Sequence, residues 1–139
     1  MNISGSALTS TRLRLDVISE NIANMSTTRT ETGDPYRRKF VVFQERTNNP
    51  GDFAAVFNRT QKNIGGVRVK AIGHDMSEFK LDYNPSHPDA DEDGFVRMPN
   101  VDLVQEMTDM LAAYRAYEAN ITALNVFKDM ATKTLEIGK

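Results

Sequence analysis

The chain has 139 residues, a formal net charge of −2 and no cysteine. So small a net charge gives no global electrostatic case for nucleic acid or an anionic membrane surface. No run approaches the roughly 18 apolar residues that a membrane span requires. Without cysteine there are no disulfides, thiolate metal sites or thiol nucleophiles.

Helix breakers divide the chain. All five prolines lie between Pro35 and Pro99, whereas residues 6–32 and 100–137 contain neither proline nor glycine. The distribution predicts a helix, a broken middle and a second helix, hence three stretches: 1–34, 35–99 and 100–139. The expected fold class is α+β, with the long terminal helices packed antiparallel in a coiled-coil-like layer and a small β-rich middle.

The first stretch carries an a/d seam. Leu8, Leu15 and Ile22 recur every seven residues, with Thr11, Ile18 and Met25 three residues after each. Arg12 and Arg14 fall inside this amphipathic segment instead of preceding an apolar one, so a cleaved secretory leader is not expected.

The middle reads as strands. Lys39 to Glu45 has apolar residues on both faces, and Val67 to Ala71 alternates. Phe79 to Tyr83 alternates strictly, with Phe79, Leu81 and Tyr83 expected to point inward. Gly73 to Ser77 is expected to join the last two strands as a hairpin. Residues 53–59 fit either a short helix or a strand, and Asn48 to Gly51 and Gly65-Gly66 have turn chemistry.

Asp89-x-Asp91-x-Asp93-Gly94 opens like an EF-hand loop, but its twelfth position is Asn100, and Pro85 and Pro88 stand where the preceding helix would run. A loop returning the chain to the last helix is the simpler reading, with a calcium-responsive module as the alternative. His74 and His87 stand alone on different segments and supply neither a zinc set nor a nucleophile–base pair. No metal, cofactor or catalytic residue is expected. The densest basic run, Arg37-Arg38-Lys39, is far short of a nucleic-acid footprint and suits a solvated loop or an acidic neighbour.

The last stretch carries the second seam. Met107, Tyr114, Ile121 and Leu135 take a positions, with Lys128 the polar exception, and Leu103, Met110, Tyr117, Leu124 and Ala131 take d positions. Asn100 or Asp102 would cap its start, the latter with Gln105 as capping-box partner, and Gly138 would end it. This helix would span roughly 50 Å and the first only about 30 Å. Part of the longer seam therefore lacks a partner inside the chain. Burying one Leu or Ile contributes roughly 1.5–3 kcal/mol, so the surplus should drive association with other subunits. Before they dock, the helices should be frayed, giving less helix by circular dichroism than the pattern suggests.

Three motifs carry a family resemblance. "DVISENIANMST" (16–27), with its Asn21-Ile22-Ala23-Asn24 core, resembles the N-terminal signature of bacterial flagellar axial proteins. Residues 106–139, above all Arg115-Ala116-Tyr117-Glu118-Ala119-Asn120, resemble their terminal helix. "YNPSHPDADEDGFVRMPNV" (83–101) is similar to the segment leading into that helix in basal-body rod proteins. Only residues 46–66 do not match.

The resemblance implies a structural, non-enzymatic rod subunit, proximal or otherwise. Its partners would be copies of itself, other rod subunits, the flagellar type III export apparatus and the rod-base adaptor. It implies a place in the periplasm-spanning shaft that transmits torque, with terminal helices around a central channel. Asn21 and Asn24 are then either helix-end hydrogen bonders or subunit contacts. Arg115 and Glu118 could pair with each other or with a neighbour. The short middle disfavours hook-type members.

Overall fold

The computed structural model describes residues 2–46 and 65–138. Its elements are α1 (Asn2–Ala23), β1 (Lys39–Glu45), β2 (Val67–His74), β3 (Lys80–Tyr83), β4 (Phe95–Met98) and α2 (Leu103–Ile137). The fold is α+β, with two long terminal helices flanking two small antiparallel sheets. The turn expected at Asn48 to Gly51 and the ambiguous 53–59 stretch lie outside the described residues.

The 22-residue α1 ends earlier than its seam. Asn24 closes it: its backbone N–H and its Nδ2 both donate to the Glu20 carbonyl, at 3.1 and 2.9 Å. The Met25 N–H then turns back to Ile22 O at 3.3 Å. Met25, expected at a d position, therefore lies in the turn beyond the helix and is exposed. α2 runs 35 residues from an Asp102 N-cap, whose Oδ1 accepts the N–H groups of Val104 and Gln105. Gln105 does not complete a capping box, because its amide donates forward to Asp109 at 3.3 Å. Gly138 ends α2 with φ −86°, without the left-handed cap its glycine would permit.

The helices pack antiparallel. Asn21 meets Glu106, and Arg14, seven residues back along α1, meets Asp109, three residues on along α2. The contact face of α2 is not the expected one. Its buried and half-buried positions are Glu106, Asp109, Met110, Ala113, Tyr117, Asn120, Ala123 and Leu124, and a line spaced by four and three in turn runs through all but Asp109 and Ala123. The d residues Met110, Tyr117 and Leu124 hold their places. The a line moves back by one residue, about 100° around the helix, from Met107, Tyr114 and Ile121 to Glu106, Ala113 and Asn120. Small Ala113, 2% exposed, sits in this face. On α1, Ile18 is buried while Leu8, Leu15 and Ile22 are half-buried.

β1 has the expected boundaries, and Phe40 and Phe43 remain partly exposed beside half-buried Val41 and Val42. It pairs with β2 from Lys39↔His74 to Glu45↔Val67. A bulge between Val42 and Phe43 skips Lys70. This sheet lies on α1, where Ser6 Oγ accepts the Val67 N–H at 3.2 Å and Ser10 Oγ donates to Val67 O at 3.4 Å. A Cβ on Gly66 would come within 2.7 Å of Ser6 Oγ, so the close approach suits glycine.

The expected β2–β3 hairpin does not form: β3 pairs with β4, from Lys80↔Met98 to Tyr83↔Phe95. The Asp75–Ser77 turn is instead held by Asn100, whose Nδ2 donates to Asp75 O and Ser77 Oγ. Leu81 and Tyr83, expected inward, are both about two-thirds exposed, and Tyr83 stacks edge-on against Phe95. The hairpin's inner contact comes from β4, where Val96 is fully buried. Among the described residues the buried apolar core is Val17, Ile18, Tyr36, Val96, Val101 and Ala113. That is a thin core, centred where α1, β1 and the start of α2 meet.

Candidate functional site

The most constrained chemistry lies in that core. Asn21 and Glu106 are both 0% exposed. Asn21 Nδ2 donates to Lys39 O at 2.8 Å and to Glu106 Oε2 at 3.0 Å. Its Oδ1 accepts the Lys39 N–H at 2.9 Å and the Tyr36 hydroxyl at 3.0 Å. Arg38 covers the other carboxylate oxygen, with Nε 2.5 Å from Glu106 Oε1 and Nη2 3.3 Å from Asp109. One amide and one carboxylate thus join α1, β1 and α2. Burying the Glu106 charge is tolerable because Arg38 and Asn21 both bond it.

The surroundings extend this lock. The Arg38 N–H donates to Asn100 Oδ1 at 2.8 Å, tying β1 to the segment before α2. Lys39 pairs with Glu20 and lies over the Tyr36 ring. Arg37 stacks on Phe79, 4.2 Å from its centroid. The basic run, expected in a solvated loop or against a neighbour, is therefore engaged within the chain. Burial, and then the Glu20 and Glu106 carboxylates, push the Tyr36 phenol up to about 12, so it stays a donor. The N–H groups of Gln105 and Val104, and then Lys80, hold the Asp102 carboxyl below the usual range.

The family-motif residues separate by role. Asn21 is taken up inside the lock. Asn24 is a helix-end bonder that also accepts Thr27 Oγ1 at 3.2 Å. Asn120 Nδ2 donates to Ala116 O within α2. Arg115 and Glu118 are exposed and, among the described residues, form no ion pair with each other.

Of the acidic loop, Asp89 accepts Thr28 Oγ1 at 2.9 Å and pairs with Arg29 at 3.2 Å, fastening the loop to the turn after α1. Among the described residues no group of three or more His, Asp or Glu is placed to hold a metal ion. None of the described helices is long and apolar enough to cross a membrane.

Roughly 100° around α2 from that contact face lies a second stripe: Val104, Met107, Leu111, Tyr114 and Ile121, spaced three, four, three and seven residues apart. Met107 is 59% and Leu111 52% exposed. Leu103 is exposed beside it. Beyond Leu124 every described residue of α2 is exposed, ending in Leu135 at 75% and Ile137 at 87%.

The heptad pattern singles out neither Glu106 nor Arg38. The one signal in the sequence is the i, i+7 relation of Glu106 to Ala113, one residue off an otherwise apolar line.

These features define a class of protein, an α+β scaffold whose buried polar groups fasten two terminal helices to a small sheet. Residues 1–29 match a family model described as flagella basal body rod protein. Residues 92–137 match one described as flagellar basal body rod FlgEFG protein C-terminal. The chain is 49% identical to the flagellar basal-body rod protein FlgC of Borreliella burgdorferi, over 99% of this chain and 94% of the relative. It is 46% identical to that of Bacillus subtilis, over 100% and 96%, and 41% identical to that of Salmonella typhimurium, over 99% and 95%. The chain belongs to the FlgC family of flagellar basal-body rod proteins. It is a structural subunit of the proximal rod.

Proposed function

We propose that the chain polymerises into the rod through its terminal helices. Residues 1–34 and 100–139 would form the inner layer around the export channel, and residues 35–99 would lie outside it. The observation that carries this is the uncovered apolar stripe of α2, Val104 to Ile121, continued by the bare end of the helix. Exposed Leu103, Met107, Tyr114 and Ile121 face neighbouring subunits in this reading, while Ile18, Met110, Tyr117 and Leu124 serve the chain's own helix pair, beside half-buried Leu8, Leu15 and Ile22. Met25, Arg115 and Glu118 contribute from exposed positions.

Partners are other copies and other rod subunits, and the role is torque transmission, not catalysis. Stiffness from interdigitated side chains is what that task requires. Passage through the type III export apparatus, contact with the rod-base adaptor and residence in the periplasm-spanning shaft are supported by family membership alone.

The test is the double variant Met107→Glu/Leu111→Glu. The free chain should keep its circular dichroism spectrum, and basal bodies purified from cells carrying it should lack the subunit. Normal incorporation would contradict the reading.

A further inference from the structure

A cleft of about 610 Å³ opens between the first half of α1 and the start of β2, with Arg12, Arg46 and Arg68 around it. All three arginines are exposed. Asp16 is the one carboxylate among the described residues that line the cleft, and none of the three arginines forms an ion pair with a described residue. Ser6, Thr9 and Ser10 add hydroxyls to the wall. Arginines in a fork geometry beside hydroxyls suit carboxylate oxygens.

The same molecule presents such carboxylates elsewhere. The β3–β4 connection closes on a turn in which the Gly94 N–H donates to Asp91 O at 2.8 Å and the Asp91 N–H donates to Phe95 O at 2.8 Å. Gly94 takes φ +81°, which only glycine adopts readily. Glu92 and Asp93 occupy the tip and are exposed. Asp89 anchors the base of the loop to Thr28 and Arg29, past the C-terminal end of α1. Arg12 lies roughly three helical turns before that end. The base of the tip is thus held beyond the C-terminal end of α1, and no tip residue lines the cleft.

We propose that the acidic β3–β4 tip of one copy docks in the arginine cleft of the next. Two different, complementary patches on one molecule make a head-to-tail contact, the kind that can propagate along a row of copies. The inference rests on the reading that copies lie against one another in the rod. It adds a polar contact that sets which copy follows which, independent of the apolar stripe of α2.

A charge swap tests it. The full-length Arg12→Glu/Arg68→Glu chain and the full-length Glu92→Lys/Asp93→Lys chain are compared with the unsubstituted chain by sedimentation velocity at low salt. Each variant alone should self-associate about tenfold more weakly, and an equimolar mixture should return to the unsubstituted level. In the mixture the reversed tip meets the reversed cleft and the native tip meets the native cleft. Raising the salt should erase the differences. Either variant associating as tightly as the unsubstituted chain, a mixture as weak as its components, or an unsubstituted chain that does not self-associate would overturn the docking. If the swap has no effect while Met107→Glu/Leu111→Glu abolishes association, the docking fails and the assembly reading stands. If neither matters, both fail.

Discussion

The two halves of α2 are chemically different objects. Its first turns are fastened to the chain by Asp102, Glu106 and Asp109, with Lys80 partnering the first and Asn21, Arg14 and Arg38 the other two. Its last turns, beyond Leu124, bury nothing, though they carry Val126, Phe127, Met130, Leu135 and Ile137. A polar group can be satisfied by a few well-placed atoms, whereas an apolar stripe needs area, and α1 is too short to provide it. The contrast teaches that one end of the helix pair is complete by itself. The other end is bare in the single chain, and the proposed assembly is what would cover it.

Removing residues 126–139 should separate the two ends most sharply. Incorporation into purified basal bodies should be lost, while the urea midpoint of the free chain should barely move, since exposed positions contribute within about 0.5 kcal/mol. A large fall in the midpoint would mean the overhang is packed in the free chain.

At the fastened end, Glu106→Ala should cost about 3 kcal/mol, because Arg38 and Asn21 lose a buried partner; urea denaturation reads it directly. Asn21→Ala should follow at about 2 kcal/mol, with the Tyr36 hydroxyl and both Lys39 backbone groups left short of a partner.

The phenol of Tyr36 gives a pH signature. Its folded-state pKa, about 12, lies above the ordinary 10.0. The folded chain therefore holds this proton where the unfolded chain releases it. The contribution is complete below pH 10 and declines as pH rises from there through 12, by up to about 2 kcal/mol. Comparing Tyr36→Phe with the unsubstituted chain isolates the effect: the variant should lack that share of the alkaline decline.

Much of this is legible in the order of residues alone. Two breaker-free ends and a proline-bearing middle give the helices and their length mismatch, an apolar run on both faces gives β1, and alternation gives most of β2 and β3. The strand pairing was not legible, because nothing local in Gly73 to Ser77 shows that Asn100, more than twenty residues away, holds that turn. β4 is not legible, because Phe95-Val96-Arg97-Met98 is short, lacks a clean alternation and follows an acidic run that reads as loop. The heptad reading found the right helix and the wrong rotation. It assigned the a line by apolarity, whereas Glu106 faces inward because two partners distant in sequence, Asn21 and Arg38, are folded against it. Asn21 and Asn24 look alike in the motif, yet one is the centre of the lock and the other ends a helix.

Hydrogen–deuterium exchange along α2 in the free chain addresses the central claim most directly. Amides from about Glu106 to Tyr117 should exchange slowly, limited by opening of the polar lock, while those from Val126 to Ile137 should exchange orders of magnitude faster. Uniform protection along the whole helix would show that a single chain already completes its own fold, and would contradict the account.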